Sequence, residues 1–231
     1  MTARSTAGKP KPAGFAQVTP NLGENLTEGE LLALMAEPDA RVENTSFSGL
    51  ALEDAAANGT AFSNVAFKSC TFERVSFANI TLSDVVFSGC RFIRCDMGRS
   101  WLNRCDFRSC SAPGLSFLKG RLTSVSFNDC QLGYTDFSEA TVSGLAAKET
   151  NLTEASFEAA RLSRVTLSGC DLTRATVFKT PLSGIDLSTC VIAGIRVSDT
   201  FRELRGAQVS EEQAIQLAGL LGVTVKEDGW R

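Results

Sequence analysis

The sequence predicts an all-β solenoid, and three observations predict it: an unbroken five-residue period, a thiol column at 20-residue spacing, and helix signals confined to the two ends. Every fifth residue from Phe47 to Val197 gives 31 positions, all of them apolar, among them Phe67, Phe87, Met97, Phe127, Leu152 and Ile192. The residue two places earlier is almost always small or β-branched, as in Thr45, Val65, Cys70, Val75, Ile80, Val85 and Cys90. A period of five fits neither a helix at 3.6 nor a strand at 2. A fixed short period is the mark of a solenoid, whose units bury their apolar residues only by stacking on their neighbours.

The cysteines set the length of one coil. All eight (Cys70, Cys90, Cys95, Cys105, Cys110, Cys130, Cys170 and Cys190) fall on the small inward position, and six of them are separated by 20 or a multiple of 20. One coil is therefore four pentapeptides, and residues 45–198 form seven to eight coils. At the inter-strand spacing of about 4.8 Å the rod is about 37 Å long. Its core is expected to contain columns such as Phe47, Phe67, Phe87, Phe107, Phe127 and Phe77, Met97, Phe117, Phe137, Phe157.

The elements follow in chain order. Residues 1–26, rich in Pro, Gly, Ala, Lys and Thr, read as a flexible extension. Thr27-Glu28-Gly29-Glu30 is a capping box before Leu31, Leu32, Leu34 and Met35, so a short helix over 27–37 caps the first coil, with 27–44 as cap and entry. Solenoid ends need such caps because they expose core and unpaired strand edges. No loop interrupts 45–198, and the register is lost at Arg202. Ser210-Glu211-Glu212-Gln213 is a second capping box, before Ala214, Ile215, Leu217, Ala218, Leu220 and Leu221, with Gly222 at the expected C′ position. Val223-Thr224-Val225 is expected to form a short strand, making 199–231 a helix-and-strand unit for capping and dimerisation.

Units such as Cys70-Thr71-Phe72-Glu73-Arg74 and Cys170-Asp171-Leu172-Thr173-Arg174 resemble the pentapeptide-repeat family. The resemblance implies a right-handed quadrilateral β-helix. The stretches Gly184–Cys190 and Gln213–Gly222 are similar to the chromosomal Qnr-like members of that family in bacteria. That similarity implies a back-to-back homodimer through the C-terminal helix, with Ile215, Leu217, Leu220, Leu221 and Val223 in the interface. It further implies a DNA-like rod that binds DNA gyrase or topoisomerase IV in connection with quinolone resistance. Qnr-type proteins carry projecting loops, and this sequence has none.

Composition excludes much else. With no histidine in 231 residues, Ser-His-Asp and Cys-His nucleophile pairs and His-containing zinc sites are ruled out. No CxxC, GxGxxG or P-loop motif is present, so neither an enzyme nor a cofactor is expected, and no metal. There is no run of 18 apolar residues for a membrane span, and Met1 to Pro20 lacks the apolar region of a secretory signal. Cysteines replacing Val, Ala and Thr at a core position read as free thiols in a reducing cytoplasm.

Net charge is −3, yet residues 45–197 hold 14 acids and 15 bases, so the rod as a whole is not acidic. Acids gather at Asp129, Asp136, Glu139, Glu149, Glu154 and Glu158, the expected partner-binding centre. Bases gather at Arg91, Arg94, Arg99, Arg104 and Arg108, with Lys119 and Arg121 behind, but they wrap around a coil instead of lining one groove. Direct nucleic-acid binding is therefore not expected. Outward apolar residues, chiefly Trp101, Leu118 and Phe178, are candidates for a contact surface, and a general cytoplasmic protein-interaction scaffold is the alternative function.

Overall fold

In the computed structural model, residues 14–19, 22–23, 26–37 and 39–226 are described. From Arg41 onward each strand residue lies beside the residue 20 positions later. Strand β1 (Arg41–Ser48) pairs in parallel with β3 (Ala61–Lys68), placing Phe47 beside Phe67. The same offset adds β5 (Thr81–Ser88), β7 (Trp101–Arg108), β8 (Arg121–Asn128), β9 (Thr141–Lys148) and β10 (Arg161–Ser168), in the order β1-β3-β5-β7-β8-β9-β10. A second, three-stranded sheet joins β2 (Ala51–Glu53), β4 (Thr71–Glu73) and β6 (Arg91–Ile93). Single bridges continue the offset as far as Thr176–Arg196. The fold is a parallel β-solenoid with a helix near each end. It starts one unit earlier than the Phe47 series indicates, because Val42 of β1 is buried in the same register.

The five-residue period has a local backbone cause. Two residues after nearly every inward apolar side chain, the chain takes a left-handed conformation: Asn44, Gly49, Asp54 and Gly59, then Asn64, Ser69, Arg74 and Asn79. Gly, Asn and Asp accept this conformation readily; other residues pay roughly 1–2 kcal/mol. Arg94, Arg99, Arg104 and Lys119 nevertheless adopt it. Burial of a Phe or Leu in most units, at about 1.5–3 kcal/mol apiece, offsets the strain.

The core is the set of columns the period implies. Phe67, Phe87, Phe107 and Phe127 stack with ring centroids 4.9 Å apart, and Phe117, Phe137 and Phe157 at 5.0–5.1 Å. Rings in neighbouring columns meet edge to face, as Phe72 and Phe77 do at 84°. The small inward position does more than fill space. Cys70, Cys90, Cys110 and Cys130 each point a thiol at the carbonyl 23 residues earlier, at 3.4–3.6 Å. Thr150, next in that column, donates to Phe127 O at 3.1 Å. All eight cysteines are buried and free. Thr60, in the first coil, has a buried hydroxyl with no partner among the described residues.

Helix α1 (Glu28–Met35) has the expected capping box between Thr27 and Glu30, and it buries Leu31 and Met35 against the core. At the other end the large sheet stops at β10, and Pro181 explains why. The residues equivalent to Pro181 in earlier coils, such as Thr141 and Arg161, donate their N–H to the preceding coil. Proline has no N–H to donate. Leu162, Val165 and Leu167 of β10 are consequently only half-buried, and an apolar cavity of about 30 Å³ lies between them and Leu182, Ile185 and Leu187.

The register is not lost at Arg202 but shifted by two residues. Asp186 bridges Gln208, and Leu182, Gly184 and Leu187 donate to Glu203, Gly206 and Gln208. Leu204, Ala207 and Val209 then pack on the core in the places that Leu182, Ile185 and Leu187 hold one coil earlier. Helix α2 (Glu211–Leu220) follows, with the expected Ser210–Gln213 capping box. It closes in a Schellman arrangement, Gly222 N to Gly219 O and Val223 N to Ala218 O. The expected strand over Val223–Val225 does not form; a strand needs a partner, and none of the described strands lies beside it.

Residues 14–19, placed within the flexible extension by composition, lie instead across the large sheet. Phe15 N donates to Asp106 Oδ1 at 2.8 Å, Gln17 N to Asp84 Oδ1 at 3.0 Å and Thr19 N to Asn64 Oδ1 at 2.9 Å. Gly23 N reaches Asn44 O at 2.6 Å. Residues 1–13 lie outside the described residues. Among the described residues no helix is long and apolar enough to cross a membrane.

Candidate protein-interaction surface

Because the offset is 20, every outward residue belongs to a column along the rod. Four of the six acids expected to form a centre do come together. Asp136 and Glu158 lie on the face that follows the turn column of Tyr134 and Glu154, and Glu139 stands at the next turn. Asp129 and Glu149 do not join them. They sit in the preceding turn column, and the face carrying Gln131 and Asn151 separates them from Glu154.

Charges in these columns are largely balanced along the rod. Glu154 accepts from the Arg174 guanidinium at 2.5–3.0 Å, and Lys119 Nζ lies 3.5 Å from Glu139. Arg74 is held by Asp54, Glu53 and Glu73, and its guanidinium keeps the Asp54 carboxyl below the usual carboxylate range. Arg104 pairs with Asp84 and has the same effect there. Opposite charges one coil apart attract across the stacked coils, as in these pairs, whereas Asp129 and Glu149 stand as like charges in one column. Asp136 Oδ1 instead accepts from Ser138 N at 2.8 Å, and Glu158 is exposed.

The apolar candidates divide likewise. Leu118 (36% exposed) and the half-buried Phe178 share the column of Ser138 and Glu158, so they flank the acidic pair along one face. Trp101 (57% exposed) is elsewhere, at the start of β7 beside Arg121. The basic residues Arg91, Arg94, Arg99, Arg104 and Arg108 occupy five different columns.

At the C-terminal end, Ile215, Leu220, Leu221, Val223 and Val225 are all exposed, and Leu217 is half-buried against the core. The helix is anchored by Gln213, whose Nε2 donates to Leu187 O at 2.8 Å and Cys190 O at 2.6 Å. Sequence reasoning saw Gln213 only as part of a capping box. It also missed Asp106, whose side chain is fully buried on the outside of the rod. The one available signal was an acid in an outward column otherwise held by Ser46, Ala66, Val86, Ser126 and Ala146.

Two family descriptions match the sequence: "Pentapeptide repeat region" over residues 60–137 and "Pentapeptide repeats (8 copies)" over 150–188, together half of the chain. The chain belongs to the pentapeptide-repeat family. Similar solved structures include a trypsin-treated form of QnrB1, a plasmid-mediated fluoroquinolone resistance protein, at 22% identity and TM-score 0.44, covering 78% of this chain and 100% of that one. HetL from the cyanobacterium Nostoc, involved in regulating heterocyst differentiation, is 17% identical with TM-score 0.35, covering 80% and 95%. A thylakoid-lumen pentapeptide-repeat protein of Arabidopsis thaliana is 31% identical over 43% of this chain and 66% of its own, with TM-score 0.27. No curated protein matches the chain.

Proposed function

We propose that this pentapeptide-repeat protein is a non-catalytic cytoplasmic binding rod that pairs through its C-terminal end and offers an acidic face to a type II topoisomerase. The partner would be DNA gyrase or topoisomerase IV, in a role related to fluoroquinolone resistance. The observation that carries this reading is the gathering of Asp136, Glu139, Glu154 and Glu158 around one face in the C-terminal half of the rod. Pairing is supported by the exposed apolar side chains of Ile215, Leu220, Leu221 and Val223, which a monomer would leave in water. A doubled rod brings both acidic stretches towards its middle.

Magnitude limits the mimicry. Duplex DNA carries one phosphate charge per about 1.7 Å, hence about six over two coils. The acidic face offers four carboxylates there, two of them paired with Lys119 and Arg174. The likeness to DNA is therefore local, and shape and apolar contacts must supply the rest. That same pairing favours the second reading, a scaffold for another cytoplasmic protein through Leu118 and Phe178. A supercoiling assay with purified gyrase, with and without a fluoroquinolone, separates the two. Inhibition or drug rescue that disappears in Asp136→Lys/Glu158→Lys supports the first; absence of any effect leaves the scaffold.

A further inference from the structure

The segment Gly14–Thr19 crosses the solenoid instead of belonging to it. Running from β7 towards β1, it places alternate N–H groups, those of Phe15, Gln17 and Thr19, on side-chain acceptors of three successive strands: Asp106, Asp84 and Asn64. Asn64 returns a bond from Nδ2 to Thr19 Oγ1 at 2.8 Å and is itself steadied by Asn44 Oδ1 at 2.8 Å. Asp84 is oriented by Arg104, and Asp106 by Arg108 Nη2 at 2.8 Å and Ser126 Oγ at 2.6 Å. Each acceptor is thus fixed by the rod's own residues and turned towards a main chain that passes over it.

The fit is also steric. A Cβ on Gly14 would lie 1.8 Å from Asp106 Oδ2, so only glycine sits over that carboxylate. The outward column of this sheet carries the small or medium side chains of Ser46, Ala66 and Val86 in β1, β3 and β5. Recognition rests on main-chain N–H groups plus one glycine, the chemistry by which a groove takes an extended peptide.

We propose that this face, marked by Asn44, Asn64, Asp84 and Asp106, is a docking groove for an extended peptide, occupied in this chain by its own N-terminal segment as an exchangeable intramolecular ligand. Among the described residues no stacked ring and no helix ties the segment to the core; it is held by a few hydrogen bonds and by the half-buried Phe15, Ala16 and Val18. Tethering supplies a high effective concentration, which is what makes so small a contact persist. A free peptide carrying glycine over Asp106 would compete for the groove only once the segment is cut loose.

The test uses the full chain with a site-specific protease site inserted between Gly23 and Leu26, cleaved after folding so that the rod is unchanged. Before cleavage, hydrogen exchange should show Phe15, Gln17 and Thr19 amides protected and Ala16 and Val18 amides exchanging fast. After cleavage, a fluorescent peptide Gly14–Gly23 should bind the rod and be displaced by its unlabelled form, whereas uncut protein should take up at least tenfold less. The same peptide with Gly14→Val should bind at least tenfold more weakly. Equal exchange at all five amides, no binding to the cleaved rod, a cut segment that never exchanges, or equal binding of the Gly14→Val peptide would each overturn the proposal.

Discussion

Leu122 and Leu162 are the same residue at the same register in β8 and β10, yet the structure gives them different worth. Leu122 is sealed between coils, with Leu102 on one side and Val142 on the other. Leu162 has Val142 on one side only, and on the other it lines the cavity opened where Pro181 cannot continue the ladder. Leu→Ala in a sealed core costs about 2–5 kcal/mol, because transfer free energy and cavity free energy add. For Leu162, part of the transfer free energy is already forfeited to solvent and the site already adjoins empty space. The expected cost is about 1–2 kcal/mol. Urea denaturation of Leu122→Ala and Leu162→Ala should therefore give unfolding free energies separated by about 2 kcal/mol, read as a shift of midpoint at unchanged slope. Equal losses would refute the argument, since they would mean the solenoid wall is closed at β10.

Two more predictions follow from the thiol columns and the C-terminal end. Burial pushes the Cys105 thiol up to about 12 and raises that of Cys95, so neither of these two thiols should react with a disulfide reagent in the native state at pH 8, and both should react in denaturant. With the folded Cys105 value above the unfolded one near 9.0, its contribution to stability is fully present below pH 9 and falls as pH rises towards 12, by about 1.4 kcal/mol per pH unit. A flat stability profile from pH 8 to 11 would contradict the burial. Ile215→Glu with Leu221→Glu, both exposed in the single chain, should halve the mass in sedimentation without lowering the melting temperature; an unchanged mass would remove the proposed interface.

The fold was legible because each inward position repeats a single physical demand. Phe47 to Phe127 must stack, and the spacing of Cys70, Cys90 and Cys110 reports the coil length directly. What escaped were features written once. A single missing N–H at Pro181 ends a sheet, and two extra residues before Leu204 move the register without ending the repeat. The strap over Asp106, Asp84 and Asn64 uses main-chain donors, which any sequence possesses, so composition read those residues as a loose extension. The acidic centre was half legible. Proximity in sequence suggested six residues, but the 20-residue wrap sends Asp129 and Glu149 to another column and sets Lys119 and Arg174 beside Glu139 and Glu154.

The central proposal is that the face bearing Asp136, Glu139, Glu154 and Glu158 meets a topoisomerase where DNA would bind. Displacement of a fluorescent duplex from purified gyrase, followed by anisotropy as this protein is added, tests it most directly. The account predicts displacement at micromolar protein, lost in the Asp136→Lys/Glu158→Lys variant and retained when Asp129 and Glu149 are reversed instead. Undisturbed DNA binding across that range, or equal displacement by both variants, would contradict it.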